Sequence, residues 1–421
     1  MKVAKVTLFT LLAALVAVGV STTSYAFHSG GVAECAGCHS MHSPAVGGTR
    51  LLVGTDASSA CLTCHEHAGD TGPSSYHVST NLADMPAGTA PLQRTPGGDF
   101  GWLKKTYSFL LRGEAITDDG ANMGHDIKAV DFGYTGRSNN PTTAPGGTFS
   151  TANLGCNSCH DPHGRTRRLE SGALATTGAP IKASGSYTAA VNEPDATGAV
   201  GLYRLLAGPG YSQGGASFTA APAAKVPSSY NRSEMTTSTR VAYGAMTANN
   251  HQTWGDWCAT CHTGMHSSGN YVHPVDASLS GGTDTNYNAY VKSGDMTGGA
   301  GATAYTSLVP FAMTGTYAEL ATATTSTAGA SGTSRVMCLS CHRAHASGFL
   351  DMLRWEQEYE FITKVVGGVT SYGGTDVAAT DNALSRGRTN AEKTASYYDR
   401  PAGTFFATYQ RVLCNKCHAK D

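Results

Sequence analysis

Charge is scarce in this sequence of 421 residues: 14% are Asp, Glu, Lys or Arg, and acids and bases nearly cancel at a formal net charge of −1. No basic stripe is available to neutralise a phosphate backbone, which excludes nucleic acid as a partner. A surface so weakly charged associates more readily than it repels. Leu, Ile, Val and Phe are sparse beside 51 glycines. A conventional apolar core would not offset the entropy of ordering such a chain. Long apolar runs are missing too, apart from Val6–Val20, which follows Lys2 and Lys5 and precedes "STTSYA". Ser24 and Ala26 have the small-x-small spacing of a cleavage site, so residues 1–26 are expected to be a secretory signal peptide. The mature chain would begin at Phe27 and work outside the cytoplasm.

Cysteine outside one pattern is the last absence. All 12 cysteines lie in C-x-x-C-H: Cys35/Cys38/His39, Cys61/Cys64/His65, Cys156/Cys159/His160, Cys258/Cys261/His262, Cys338/Cys341/His342 and Cys414/Cys417/His418. Cysteines at i and i+3 with histidine at i+4 share one face of a helical turn. Two thioethers can then hold the edge of a porphyrin while the imidazole reaches its iron, the c-type haem signature. Disulfides or zinc would also use paired cysteines, but neither requires a histidine after every pair. Six covalent haem c groups follow, and their apolar faces supply the missing core. The expected fold is mostly irregular, with short helices and few strands, wrapped around a row of six haems as a single domain over 27–421.

Between the motifs, which start at 35, 61, 156, 258, 338 and 414, the chain is rich in Gly, Pro, Ser, Thr and Asn, as in 142–155 and 316–334. These segments read as loops laid over haem faces. Short helices are expected at each motif, a longer one around Ser347–Val365, and a strand at most at 239–244. The first, third and fifth motifs continue as C-H-x-x-H ("CHSMH", "CHDPH", "CHRAH") and the even ones do not. That alternation suggests three haem pairs. The first and last motifs lie close to the two ends of the mature chain.

Ten further histidines remain: His28, His42, His67, His77, His125, His163, His251, His266, His273 and His345. They suffice to give each iron a second imidazole, which leaves no open position and suits outer-sphere electron transfer rather than catalysis. No motif replaces its histidine with lysine, and no Ser/His/Asp arrangement suggests other chemistry. A histidine three residues past the proximal one projects on the same side of the same porphyrin. His42, His163 and His345 therefore ligate a different haem or hold no metal, and their threefold recurrence favours ligation. His125 ("MGHDI") and His273 ("YVHPV") lie in loops midway between motifs and complete a set of five. His77 is taken as the sixth, with His28 and His67 as rivals. His251 and His266 read as polar or propionate-contacting residues. Arg165, Arg343, Lys416 and Lys420 are candidate propionate partners. Trp102, Tyr107, Trp254 and Trp257 read as residues wrapping haem, and Asn231–Ser233 matches a glycosylation sequon.

"FHSGGVAEC.GCH.MH", "CHEHAGDTGPSSYH", "DMPAGTAPLQ.TPGGDFGW", "CHDPHG", "PSSYNR", "TRVAYG", "CLSCHRAHASGF" and "YQR.LCNKCHAKD" carry a resemblance across Phe27–Asp421. The chain resembles the OmcS-type hexahaem outer-surface cytochromes. The resemblance implies head-to-tail polymerisation into extracellular filaments with a continuous stack of bis-histidine haems. Such filaments pass respiratory electrons to metal oxides, to other outer-surface or periplasmic cytochromes, or to other cells. It also implies that His42 ligates the fifth haem (Cys338, Cys341, His342) of the adjacent subunit. By extension His163 serves the first haem and His345 the third. The stretch "ANNHQTWGDW" around His251 is longer than the family pattern. A monomeric electron shuttle and a multihaem reductase with one open haem are the competing readings, separated by particle size and by spin state.

Overall fold

A computed structural model describes residues 35–42, 44–45, 50–66, 71–72, 75–136, 141–162, 206–208, 211–225, 231–235, 241–245, 252–266, 275–299, 309–313, 330–373 and 383–418. Irregular chain dominates them. The helices are α1 (Cys35–Cys38), α2 (Ala57–His65), α3 (Cys156–Cys159), α4 (Trp254–Ala259), α5 (Thr263–His266), α6 (Thr283–Ala289), α7 (Cys338–Cys341), α8 (Asn390–Ser396), α9 (Ala402–Phe405) and α10 (Asn415–His418). Every haem motif overlaps one of them, as expected. Among the described residues no helix is long and apolar enough to cross a membrane.

Strands are more numerous than the sequence suggests, though all are short. β1 (Tyr107–Leu111) and β2 (Glu114–Asp118) form an antiparallel hairpin. Its two-residue turn holds Arg112 and Gly113 at φ 54° and 85°, the mirror-image geometry that matches strand twist. β3 (Lys128–Ala129) pairs with β4 (Tyr134–Thr135), and β5 (Ser212–Gln213) with β6 (Ala216–Ser217). β7 (Ala224–Lys225), β8 (Ala242–Gly244) and β9 (Ala312–Met313) make the one three-stranded sheet among the described residues, antiparallel then parallel. β8 is the strand expected within 239–244. β10 (Lys364–Val366) and β11 (Val369–Ser371) close another two-residue hairpin at Gly367–Gly368, as β5 and β6 do at Gly214–Gly215.

The helix expected around Ser347–Val365 does not form. Leu350–Met352 makes a single 3₁₀ turn, Asp351 and Met352 take left-handed φ of 55° and 60°, and the segment ends in β10. Local pairing overrides the helical periodicity here. Arg343 donates its backbone N–H to Met352 O, and Arg354 donates to Cys341 O, so the chain doubles back on the fifth motif.

The apolar core is a string of islands, and three of them touch attachment cysteines. Leu62, Phe100, Ile127 and Tyr134 pack beside Cys156. Phe149, Tyr211 and Phe218 pack beside Cys261. Phe349, Trp355, Tyr372, Tyr397 and Leu413 pack beside Cys341, Cys414 and Cys417. Buried ion pairs between distant segments join the islands. Asp118 meets Arg386 at 2.6 Å and Arg388 at 2.8 Å, Glu356 meets Lys393 at 3.0 Å, and Glu234 meets Arg343 at 2.8 Å and Arg354 at 2.9 Å. Such pairs bring little net stability over apolar equivalents, but breaking one strands a buried charge.

Several of the side chains singled out in the sequence bond to other protein groups. Arg343 is buried against Glu234 and the Tyr398 ring, and Lys416 donates to Tyr287 O and Tyr290 O. Both residues, candidate propionate partners by sequence, are engaged by protein groups here, and Arg343 keeps Nε and Nη2 buried without a hydrogen-bond partner among the described residues. Arg165 and Lys420 lie outside the described residues. Trp254 and Trp257 donate their indole N–H to Ala223 O and Ala207 O, and Tyr107 donates to Glu392. Trp102 is buried. Asn231 is fully buried between Gln93 and Arg94, so the sequon is not at the surface.

Candidate haem-attachment row

Four of the attachment turns are nucleated by a local device. In α2, Asp56 caps by accepting from Ser59 N at 2.8 Å, and in α4 Thr253 accepts from Asp256 N at 3.0 Å. In α3 and α7 the serine between the cysteines does the work. Ser158 Oγ accepts from Gly155 N and donates to Asn153 O, while Ser340 Oγ accepts from Met337 N and donates to Pro310 O. The turn then closes from histidine to first cysteine. His160 N, His262 N, His342 N and His418 N donate to Cys156 O, Cys258 O, Cys338 O and Cys414 O at 2.9–3.2 Å. This bond puts the first sulfur and the imidazole on one side of the turn.

The proximal rings share a second feature. Nδ1 of His39, His65, His262 and His342 lies 3.0, 3.0, 2.9 and 2.7 Å from the carbonyl oxygens of Arg50, Tyr76, Pro145 and Asp351. A carbonyl can only accept, so Nδ1 carries the proton and Nε2 keeps its lone pair. That is the tautomer an iron requires, fixed in orientation by an outer hydrogen bond.

The odd-numbered motifs are built alike. His39, His160 and His342 form antiparallel bridges with Leu52, Leu206 and Leu353. The next residue, Val53, Ala207 or Arg354, donates to the carbonyl of the second cysteine at 2.8–2.9 Å. Before Leu52 and Leu353 stand pairs of left-handed residues, Arg50–Leu51 and Asp351–Met352, with φ between 55° and 60°. These turn the carbonyl toward the imidazole at a cost of about 1–2 kcal/mol per residue. Sequence reasoning missed this element, although "RLL" recurs at 50–52 and 204–206 and "DML" stands at 351–353.

Thiol neighbours place the motifs in chain order. Cys61 feels Cys38 and hydrogen-bonds with Cys156, Cys159 faces Cys261, Cys258 hydrogen-bonds with Cys338, and Cys341 faces Cys414. The row therefore runs from first motif to sixth without a break. Burial pushes the thiols of Cys159 and Cys341 up to about 12 and those of Cys261 and Cys417 to about 11. Such apolar settings suit thioethers, whereas zinc would need thiolates. The eleven cysteines with described side chains form no disulfide. Among the described residues no three cysteine or histidine ligand atoms converge at a motif.

Cys64 departs from this pattern. Its side chain is exposed, whereas the other described cysteines are half-buried. Helix geometry gives the reason. α2 turns Ser58, Ser59, Ala60 and Leu62 into the protein, and Cys64, two residues past Leu62, stands about 200° around the helix from it. Cys61, the first cysteine of the motif, keeps its contact with Cys156 on the inner side. The proximal His418 is likewise exposed, on α10 close to the end of the described chain.

One expected distal histidine, His125, sits opposite a proximal ring, and a second, His345, is buried within the electrostatic reach of another. His125 donates Nδ1–H to Ala344 O at 2.7 Å, and its ring centroid lies 6.2 Å from that of His262. Two imidazoles on one iron, with metal–nitrogen bonds of ~2 Å, place their centroids about 6 Å apart. His345 stacks on Phe100 at 4.7 Å, and His160 is its strongest histidine neighbour. Burial pushes His125 down to about 4 and His345 to about 3, so both rings are neutral at ordinary pH. They are positioned together, since His345 N donates to Gly97 O and His125 N to His345 O. Gly98 permits this crossing, because a Cβ there would come 1.8 Å from Ala346 O.

His77 is buried, with Nδ1 3.1 Å from Ser75 Oγ, on the segment whose Tyr76 carbonyl accepts from His65. His42 is exposed, beside an exposed Met41. His266 faces Asp256 and Asp276. His28, His67, His163, His251 and His273 lie outside the described residues. The donor set thus fits covalent haem: paired sulfurs on one face, a neutral Nε2 above them, and a second buried imidazole across.

No family model matches the chain. It is 51% identical over 425 residues to the C-type cytochrome OmcS of Geobacter sulfurreducens, covering 94% of this chain and 95% of that protein. Two solved structures are similar at 50% identity, each covering 94% of this chain and 100% of theirs. They are the Outer Membrane Cytochrome S filament (TM-score 0.79) and the OmcS nanowire (TM-score 0.80) of the same organism. Likeness of sequence and fold over nearly the whole length has one reading: the chain belongs to the OmcS family of C-type cytochromes.

Proposed function

We propose that this chain is a non-enzymatic electron conduit. It is secreted, and it polymerises head to tail into extracellular filaments that carry respiratory electrons outward. Six haem c groups would be held by the six cysteine pairs and by His39, His65, His160, His262, His342 and His418. Covalent haem c supplies a one-electron iron couple at each position. The residues do the rest. The cysteines hold each porphyrin edge, the Nδ1–carbonyl bonds orient the proximal rings, and the islands of apolar side chains keep water from the haem faces.

His125 shares an iron with His262, and His345 shares one with His160. His163 serves the first haem. His42 reaches the fifth haem of the adjacent subunit, and its exposure leaves it available to do so. His77 and His273 take the two remaining irons, held by His65 and His418. Two imidazoles at every iron would leave no open position for a substrate and would suit the row to passing electrons. The donors and acceptors are other outer-surface or periplasmic cytochromes and extracellular solids such as metal oxides.

The observation that carries this reading is the pairing of His125 with His262 inside a row of motifs that runs in chain order. Electron microscopy of secreted material, with absorption spectra of the same sample, tests it. Long filaments with only low-spin haem are expected. Particles that never exceed monomer size, or a high-spin haem that binds carbon monoxide in the reduced native protein, would overturn it.

A further inference from the structure

Away from the haem-ligating imidazoles, three ligand-bearing side chains converge where α4, α5 and the segment after Val275 meet. His266 Nε2 lies 3.4 Å from Asp256 Oδ1 and 3.2 Å from Asp276 Oδ2. One donor atom from each residue lies within 4.8 Å of the others. Around a cation with bonds of ~2.1 Å, adjacent ligand atoms stand about 3.0–3.4 Å apart, the edge of an octahedron or tetrahedron.

A plain ion pair accounts for this poorly. Both carboxylates approach the same ring nitrogen, and a single N–H can point at only one of them. A cation between the three atoms satisfies all of them together. The other oxygen of Asp276, Oδ1, is buried and has no hydrogen-bond partner among the described residues. The surroundings hold Asp276 in place. Thr253 Oγ1 donates to its Oδ2 at 2.7 Å, Arg335 donates to its backbone carbonyl at 2.7 Å, and a Cβ at position 255 would collide with Oδ2 at 2.3 Å. Outer hydrogen bonds of this kind orient metal ligands. Asp256, with its side chain 47% exposed, leaves an entry path.

We infer that Asp256, Asp276 and His266 form a divalent-cation site of the zinc or manganese class, its shell completed by water. The site lies beside the attachment of the fifth haem, since Asp276 and His266 both act electrostatically on Cys338. A bound ion would tie α4 and α5, at the fourth motif, to the chain leading into the fifth.

The test uses the haem-loaded full chain, stripped of loose metal and titrated calorimetrically with Zn²⁺. The zinc-to-iron ratio is measured after dialysis. One tightly held zinc per chain is expected, weakened at least tenfold in Asp256→Asn, His266→Gln and Asp276→Asn. Asparagine tolerates the left-handed φ of 66° at position 276. Unchanged haem absorption and iron content in the variants would separate ligand loss from misfolding. The half-exposed Asp256→Asn carries the test if the buried variant does not fold. A wild-type chain that takes up no stoichiometric zinc, leaving an ion pair only, would overturn the inference. So would equal zinc affinity in wild type, His266→Gln and Asp256→Asn.

Discussion

At the scale of single residues, the distal histidines separate haem attachment from haem ligation. His42→Ala is expected to leave six haems attached, abolish filaments and turn one haem high-spin, read by microscopy and absorption. His125→Gly should instead open the fourth haem within each subunit. One carbon monoxide per chain would then bind on reduction while filaments persist. The buried charges give a different prediction. Glu234 is shared by two fully buried guanidiniums. Glu234→Gln should therefore cost about 3–5 kcal/mol, measured as a shift in the denaturation midpoint. The attachment motifs and the candidacy of His125 could be proposed from the sequence, because covalent spacing and histidine counting need no knowledge of the fold. The surface position of Cys64 was not, since the motif fixes spacing along a turn and leaves open which side of the turn meets the core. The carbonyl partners of the proximal rings were not legible either. Arg50 and Asp351 take left-handed φ without being glycine, and no local preference announces that. The bonds of Arg343 to Glu234 and of Lys416 to Tyr287 O and Tyr290 O were not legible, because charge beside a motif says nothing of which way the side chain turns.

Among the elements, helical turns at the motifs followed directly from the ligand spacing, and β8 from its apolar run. The segment after the fifth motif was misread as helix. Its apolar periodicity is real, but Trp355 and Ile362 serve an aromatic island while Arg354 reaches back to Leu339 O and Glu234. Tertiary contacts of that kind override propensity. The crossing at Gly98 offers the sharpest test of how an element positions a ligand. At φ 96°, with Ala346 O in the way, Gly98→Ala should destabilise by at least ~2 kcal/mol. Because Ala346 follows His345, the same change should loosen the third haem, visible as partial high-spin character.

For the whole molecule, buried ion pairs link segments far apart in sequence, and pH should report the cost of breaking them. Burial alone would raise the carboxyls of Asp118 and Glu356. Arg386 and Arg388 beside Asp118, and Lys393 beside Glu356, more than reverse this and hold both below the usual carboxylate range. A depressed folded pKa gives stability that is full above the unfolded value and is lost as pH falls through the folded one. The melting temperature should therefore be flat near neutrality and drop below about pH 4. Asp118→Asn should lower the plateau and shrink the acid drop. The central claim is that every iron has two imidazoles and that one of them crosses between subunits. A density map of the assembled filament measures this directly. The account predicts six haems in an unbroken row, with His42 of one subunit on the fifth haem of the next; a haem with an open face, or His42 bound to no iron, would contradict it.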